Sequence, residues 1–442
     1  MGHRRALIAI VGGSLVLAAC TSSTHAAPAV SAPGTSVPAS AAASSATAVG
    51  SSSAPVSAGA AASSAVAARS SAASASPSAT AAAFPTAIWP TYHHDVARTG
   101  NAGTVPAVTG LKVAATASLD GAVYASPLVL HDAKGDLIIA ATENNTLYGL
   151  RNNGSVVWSR HIGTPVNGAS LPCGDISPSG ITSTPVYDAT SGAVFAVAYL
   201  SGGKHELVAA NAETGAVAWT APVDAPGSTV SVEQQRGALT LADGRVWIAY
   251  GGLYGDCGPY HGYLVGVPTS GVGADIVYRD PGTREGGFWG PTGPAVDTSG
   301  NLYVPVGNGA ATSPSDKYDL SDGVIEVTPA GKAASYFAPP SWASDNAHDY
   351  GTTGVVLLPT GQLFINGKSG IAYLLKAGEL GGITNSVPSV AVCSAFGGPA
   401  YANGIVYLPC TDGLRAVRVT ATSLVTLWHA DPAGTPIVGG GV

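Results

Sequence analysis

Residues 210–219 read Ala210-Asn211-Ala212-Glu213-Thr214-Gly215-Ala216-Val217-Ala218-Trp219. A polar turn closed by glycine leads into a small-residue strand that ends on tryptophan. The glycine supplies the positive φ that such a turn needs. The tryptophan brings a large apolar face to a strand otherwise made of small side chains. Three short strands precede this one, at 184–187, 193–197 and 207–210, separated by turn residues. The same plan occurs upstream at 126–130, 136–140, 146–150 and 154–158, where Trp158 holds the place of Trp219. Later copies open near Gly237, Gly293, Gly354 and Gly397, with second strands at 245–249, 302–306, 362–366 and 405–409. Trp428 falls in the same phase, and Tyr278 and Tyr336 replace the tryptophan elsewhere.

A four-strand unit recurring every ~35–55 residues predicts an all-β chain, a β-propeller of four-stranded blades. Each blade covers the edges of its neighbours by radial repetition. Six full blades are expected, with residues 436–442 opening a seventh, so that a complete relative would carry seven or eight. Residues 111–118 are expected as an isolated fourth strand that closes the ring against the C-terminal blade. An unfinished ring would expose a long apolar edge. A tandem array of immunoglobulin-like domains is the alternative reading.

The N-terminus carries an export pattern. His3, Arg4 and Arg5 precede an apolar run at 6–17 that is too short to span a bilayer comfortably. It ends in Leu17-Ala18-Ala19-Cys20. This tetrad resembles the bacterial lipobox, which implies a signal peptide at 1–20, lipidation of Cys20 and anchoring to the outer face of the cell membrane. An ordinary secretory signal is the alternative. Residues 21–83 are almost entirely Ala, Ser, Thr, Val, Pro and Gly, so they are expected to stay disordered and to act as a tether. A coil of that length has a root-mean-square span of about 40–50 Å. The folded region is then 84–442.

Only 10% of residues are charged and the net charge is −7, so the basic stripe of a nucleic-acid binder is missing. The 58 glycines suit short strands joined by tight turns.

From about residue 89 onward the chain resembles bacterial PQQ-like (pyrroloquinoline-quinone-like) β-propeller proteins. The segments that carry the resemblance are the repeat at 210–219, Trp89 to Asp95, Thr142 to Thr146, Cys173-Gly174-Asp175-Ile176, Gly255-Asp256-Cys257-Gly258 and Arg284 to Trp289. The resemblance covers dehydrogenases, assembly scaffolds and proteins of other roles. The dehydrogenase branch implies a quinone held between a tryptophan and a disulfide of adjacent cysteines, with calcium and a catalytic aspartate. This chain has no Cys-Cys pair and no segment matching the carboxylate set, so the leading expectation is no cofactor, with PQQ and calcium kept only for the alternative, enzymatic reading.

Beyond Cys20, the cysteines are Cys173, Cys257, Cys393 and Cys410. An even number in an exported chain favours disulfides. Cys393 and Cys410 flank one strand-turn-strand unit, which leaves Cys173 for Cys257. The competing reading is a metal site, since Cys257 and His261 are four apart and Asp175 and Asp256 stand beside the cysteines. His93-His94-Asp95 reads as part of a packed strap, and Gly367-Lys368-Ser369 lacks the spacing and the helix of a phosphate loop.

The phase of the charges is more informative. Glu233, Gln235 and Arg236 precede one blade, Arg284, Glu285 and Trp289 the next, and His348 and Asp349 the one after. Connections into the first strands gather around one mouth of a propeller, where such groups form a ligand funnel or seal the channel. The leading expectation is a binding or scaffold module whose partner is an envelope protein, a glycan or a small ligand. The other expectation is a propeller enzyme, either a quinone oxidoreductase or a lyase or hydrolase using Glu285 and His348. A resemblance in fold to the propeller lipoprotein of the outer-membrane assembly machinery suggests a structural role.

Overall fold

The structure is a computed structural model that describes residues 84–104, 110, 112–344 and 349–431, with a short pairing of Ile10–Val11 and Ser14–Leu15. Cys20, the linker at 21–83, His348 and residues 436–442 lie outside the described residues.

Among the described residues, six four-stranded antiparallel units follow one another. Blade one is Leu128–Asp132, Gly135–Ala141, Thr146–Arg151 and Val156–His161. Blade two is Val186–Asp188, Ala193–Leu200, Lys204–Asn211 and Val217–Pro222. Blade three runs from Thr240–Ala242 to Ile276–Arg279, and blade four from Ala295–Val296 to Ala333–Ala338. Blade five runs from Val356–Leu357 to Ser389–Ala391, and blade six from Ala400–Ala402 to Leu424–Ala430. This is the expected propeller and not a tandem of sandwiches.

Both faces of blades two to five meet a neighbouring blade, so their second strands are largely apolar and do not alternate. Ala193–Leu200 is buried at every position after the first. The cores therefore lie between blades. Leu137 and Ile139 of blade one pack with Val194 and Ala196 of blade two. Phe195 and Val197 on the other face of blade two pack with Val246 and Ile248 of blade three. Trp158 closes the first of these seams. Trp219 does the same over Gly271 of blade three. Trp428 stands in the same phase at 43% exposed, and among the described residues nothing covers it as Gly215 covers Trp158.

The N-terminal segment differs from expectation. Residues 112–118 form no strand; Ala117 and Leu119 lie flat on the face of blade one, over Ile138, Ala140 and Leu150. A more upstream piece, Thr86–Trp89, pairs instead with the first strand of blade one. The chain then circles the axis. Pro90 accepts from the Tyr187 amide at 2.8 Å in blade two, and Thr91 Oγ1 donates to the Leu239 carbonyl at 3.3 Å beside blade three. Val96, Ala97 and Thr99 accept from the amides of Val296, Leu357 and Tyr401 in blades four, five and six. One strap thus reaches all six first strands. The reason is chemical: innermost strands leave amides unpaired towards the axis, and a buried amide must find an acceptor.

Arg98 pins this strap. It is fully buried, yet it donates through Nε to Pro294 O at 3.1 Å, through Nη1 to Thr91 Oγ1 and Tyr92 O, and through Nη2 to Leu239 O and Thr240 Oγ1. His93 stacks on Tyr92 with ring centroids 4.3 Å apart and faces Gly100 and Gly398. Burial, with Arg98 beside it, holds its pKa down at about 4. The His93-His94-Asp95 segment is part of the packing of this strap.

Candidate functional site: the channel mouth opposite the strap

Phe84 lies at Gly192, in the turn between the first two strands of blade two, so the strap occupies that end of the channel. The other end collects the connections between blades and the loops between second and third strands. There the structure places the sequence-predicted residues, except His348.

Glu233–Gln234 pairs with Gly251 and Gly252 at the end of the second strand of blade three. This small ladder delivers three polar side chains to the mouth. Glu233 is buried; its Oε1 accepts from the His261 amide at 3.1 Å, and its Oε2 has no partner. Burial raises its pKa to about 8. Gln235 donates through Nε2 to Gly237 O at 2.7 Å and leaves Oε1 unpartnered. Arg236 lies over the ring of Trp289 at 6.0 Å from its centroid, with Nε sealed from solvent and unpartnered.

Trp289 is held by glycines. A Cβ added to Gly251, Gly287, Gly307 or Gly351 would stand 2.1–2.8 Å from its ring. Four strands and connections can approach the indole because none carries a side chain there. Tyr260 meets the ring at 5.8 Å, and its hydroxyl donates to Asp256 Oδ1 at 2.7 Å.

Glu285 stitches blade three to blade four by its backbone, bridging to His261 and to Gly309. Its side chain is buried and paired with Arg284, which is half exposed; burial pushes its pKa up. Asp349 is fully buried, accepts from Lys368 Nζ at 2.7 Å and from the Gly351 amide at 2.8 Å, and is raised by burial despite the lysine. Lys368 sits in the turn before Ile371–Lys376, in the strand-turn-strand setting read from the sequence.

Sequence reasoning missed Tyr260, Asp280, Lys368 as a partner and Glu143. Asp280 is buried with Oδ2 unpartnered, and burial raises its pKa to about 8. Glu143 accepts from the Gly180 amide at 2.6 Å and from Thr182 Oγ1, and is raised by burial to about 7. Carboxylates in a chain so poor in charge were the available signal.

Both disulfides lie at this end. Cys173 is bonded to Cys257 with Cα atoms 6.1 Å apart, and Cys393 to Cys410 at 5.8 Å. The bond removes Cys257 as a thiolate ligand, so the metal reading of Cys257 with His261 is corrected to a disulfide. Cys173–Cys257 ties the connection into blade two to a loop of blade three.

The sequence model of a family described as outer membrane protein assembly factor BamB matches residues 111–250. Among solved structures, the chain is similar to the quinohemoprotein alcohol dehydrogenase from Comamonas testosteroni (16% identity, TM-score 0.56, covering 75% of this chain and 58% of that one). It is likewise similar to the quinohemoprotein alcohol dehydrogenase ADHIIG from Pseudomonas putida HK5 (18% identity, TM-score 0.57, covering 76% and 58%). The chain therefore spans less than two thirds of the length of these dehydrogenases. No curated protein matches it. These likenesses show a β-propeller fold. Over residues 111–250 the chain matches that family's model, and its fold is a β-propeller like those of the two dehydrogenases.

The residues at the mouth do not fit a quinone with calcium. The ring of Trp289 already meets Arg236 at 6.0 Å and Tyr260 at 5.8 Å from its centroid, with glycines close around it. The nearby disulfide joins residues 84 apart in sequence, not adjacent ones. Among the described residues, no group of three His, Cys, Asp or Glu side chains is placed to hold a metal ion.

Proposed function

We propose that this chain is an exported lipoprotein, anchored through Cys20, whose propeller binds a small ligand or envelope partner at the mouth opposite the strap. One contrast supports the reading. At the strap end, every nitrogen of the Arg98 guanidinium is bonded to oxygen. At the other end, Glu233, Gln235 and Arg236 each keep a sealed polar atom without a partner. Unpaired buried polar atoms cost free energy, and a ligand whose entry opens the mouth and pairs with them recovers it. Similarity to a BamB family model over 111–250 is the observation that favours an envelope protein as the partner.

Two experiments test this. Replacing Cys20 by Ser should move the full chain from the membrane pellet to the soluble fraction; a variant that stays in the pellet overturns the anchoring. A photo-reactive amino acid at position 284, which is exposed at the mouth, should cross-link an envelope protein, or small ligands should raise the melting temperature of the full chain. Silence in both overturns the binding reading.

A further inference from the structure

We infer that this mouth recognises the carboxylate of a small monoanionic or zwitterionic ligand, with Arg236 above Trp289 as the receiving group. The inference rests on the reading that the mouth is a binding site, and names the ligand class.

The two arginines at the ends of the channel carry the argument. Arg98 spends its donors on carbonyl and hydroxyl oxygens of the protein. Arg236 makes no hydrogen bond or ion pair with any described residue, and its Nε is sealed from water. Guanidinium is planar and holds its donors in a fixed fork that matches a carboxylate in bidentate fashion. Lying over an indole face, it gains cation–π attraction while its in-plane donors stay free. The glycine cradle makes that floor rigid, because Trp289 cannot shift without meeting backbone at Gly287 and Gly307. The site is thus a fork held ready over a fixed platform.

The surrounding charges narrow the ligand. Asp349 is satisfied by Lys368, and Glu285 by Arg284. Asp175, Asp256 and Asp349 all favour the charged form of Arg236 against the burial that lowers its pKa, and of these only Asp349 is paired with a cation among the described residues. Asp256 is engaged only by the Tyr260 hydroxyl, and Asp175 is exposed on the loop tied by the Cys173–Cys257 bond. One cation facing two anions repels a dianion. A monocarboxylate is tolerated. A zwitterion fits best, with its carboxylate on Arg236 and its ammonium towards the exposed Asp175, whose charge acts on Arg236.

The test is calorimetric titration of the full chain at neutral pH and low salt with glycine, acetate, succinate and glucose. Glycine and acetate should bind saturably, glycine more tightly and succinate more weakly. Arg236→Ala should weaken both glycine and acetate by about 10–100-fold, the range of a charge-assisted pair. Asp175→Asn should weaken glycine and leave acetate unchanged. Arg236→Lys keeps the charge but loses the fork, and should recover only part of the affinity if the alanine variant folds poorly. Carboxylate binding that survives Arg236→Ala overturns the inference, as does an absence of carboxylate binding. Glucose binding that is lost in Glu233→Gln would keep the mouth as a site while overturning the ligand class. No binding of any of the four, with no cross-link from position 284, overturns both readings.

Discussion

The indole of Trp158 in blade one lies on Gly215 of blade two, where an added Cβ would stand 2.4 Å from Cε3, and its Nε1 donates to the Ala212 carbonyl at 3.0 Å. Arg160 donates to the carbonyl of the same Gly215 at 2.9 Å. The signature turn of one blade is thus the receptor for the signature tryptophan of the blade before it. Trp158→Ala should lower stability by about 3–5 kcal/mol, as for other large-to-small changes at buried aromatics. Gly215→Ala should cost about 1–3 kcal/mol, since it combines a positive φ with overpacking. Urea denaturation of the two variants and the double variant measures both, and the double should cost less than their sum because the pair shares one contact.

The strap makes a separate prediction. Arg98→Met keeps the volume but leaves Pro294, Leu239 and Tyr92 carbonyls without that donor. The expected loss is on the order of 3–5 kcal/mol, the range for breaking a buried charged network on one side. Hydrogen exchange should show faster opening at the amides of Val296 and Leu357, which donate to the strap. Protection there equal to the wild type would show that the strap holds without its arginine.

Burial raises Glu233 to about 8 and Glu143 to about 7, so the folded chain binds protons that the unfolded chain releases near the ordinary carboxylate range. With the folded pKa above the unfolded one, their contribution is complete below about pH 4.5 and is lost as pH rises to about 8. Glu233→Gln should therefore flatten the fall in stability across that window, with its largest gain over the wild type above pH 8. Melting temperatures from pH 5 to pH 9 for the two proteins give the comparison, and parallel curves would contradict it.

Cys173 and Cys257 are 84 residues apart, and their bond crosses from one inter-blade connection to a loop of blade three. Replacing both by Ser should cost about 2–4 kcal/mol, mostly by freeing the unfolded chain. Under the ligand reading, the same variant should weaken glycine binding through Asp175 and spare acetate, the outcome also expected of Asp175→Asn.

Much of the site was legible only as a phase. Glu233, Arg236, Glu285, Trp289 and Asp349 were singled out because polar groups precede first strands in a chain with few charges. The structure brings these five together at one end. Their partners were not legible. Tyr260, Lys368 and Asp280 lie in loops whose approach depends on blade-to-blade packing, and nothing in their local sequence marks them. The packing of the strap is legible in the sequence, yet its pairing with every blade is not, because an amide's lack of a partner is set by how the first strands gather around the axis. Residues 111–118 read as an isolated fourth strand, but the described part, 112–118, forms none, and Ala117 with Leu119 packs against Ile138 and Leu150 instead.

The amino-acid sequence alone determined the blade: glycine where the turn needs a positive φ, tryptophan or tyrosine at the seam, and unbroken apolar second strands that demand a neighbour on each face. Those are local requirements of backbone conformation and burial, so they are written within a few tens of residues. Only the tertiary structure decided which end of the channel is filled and which guanidinium is satisfied. Arg98 and Arg236 are the same residue type, and what separates them is the set of oxygens that distant blades bring within reach.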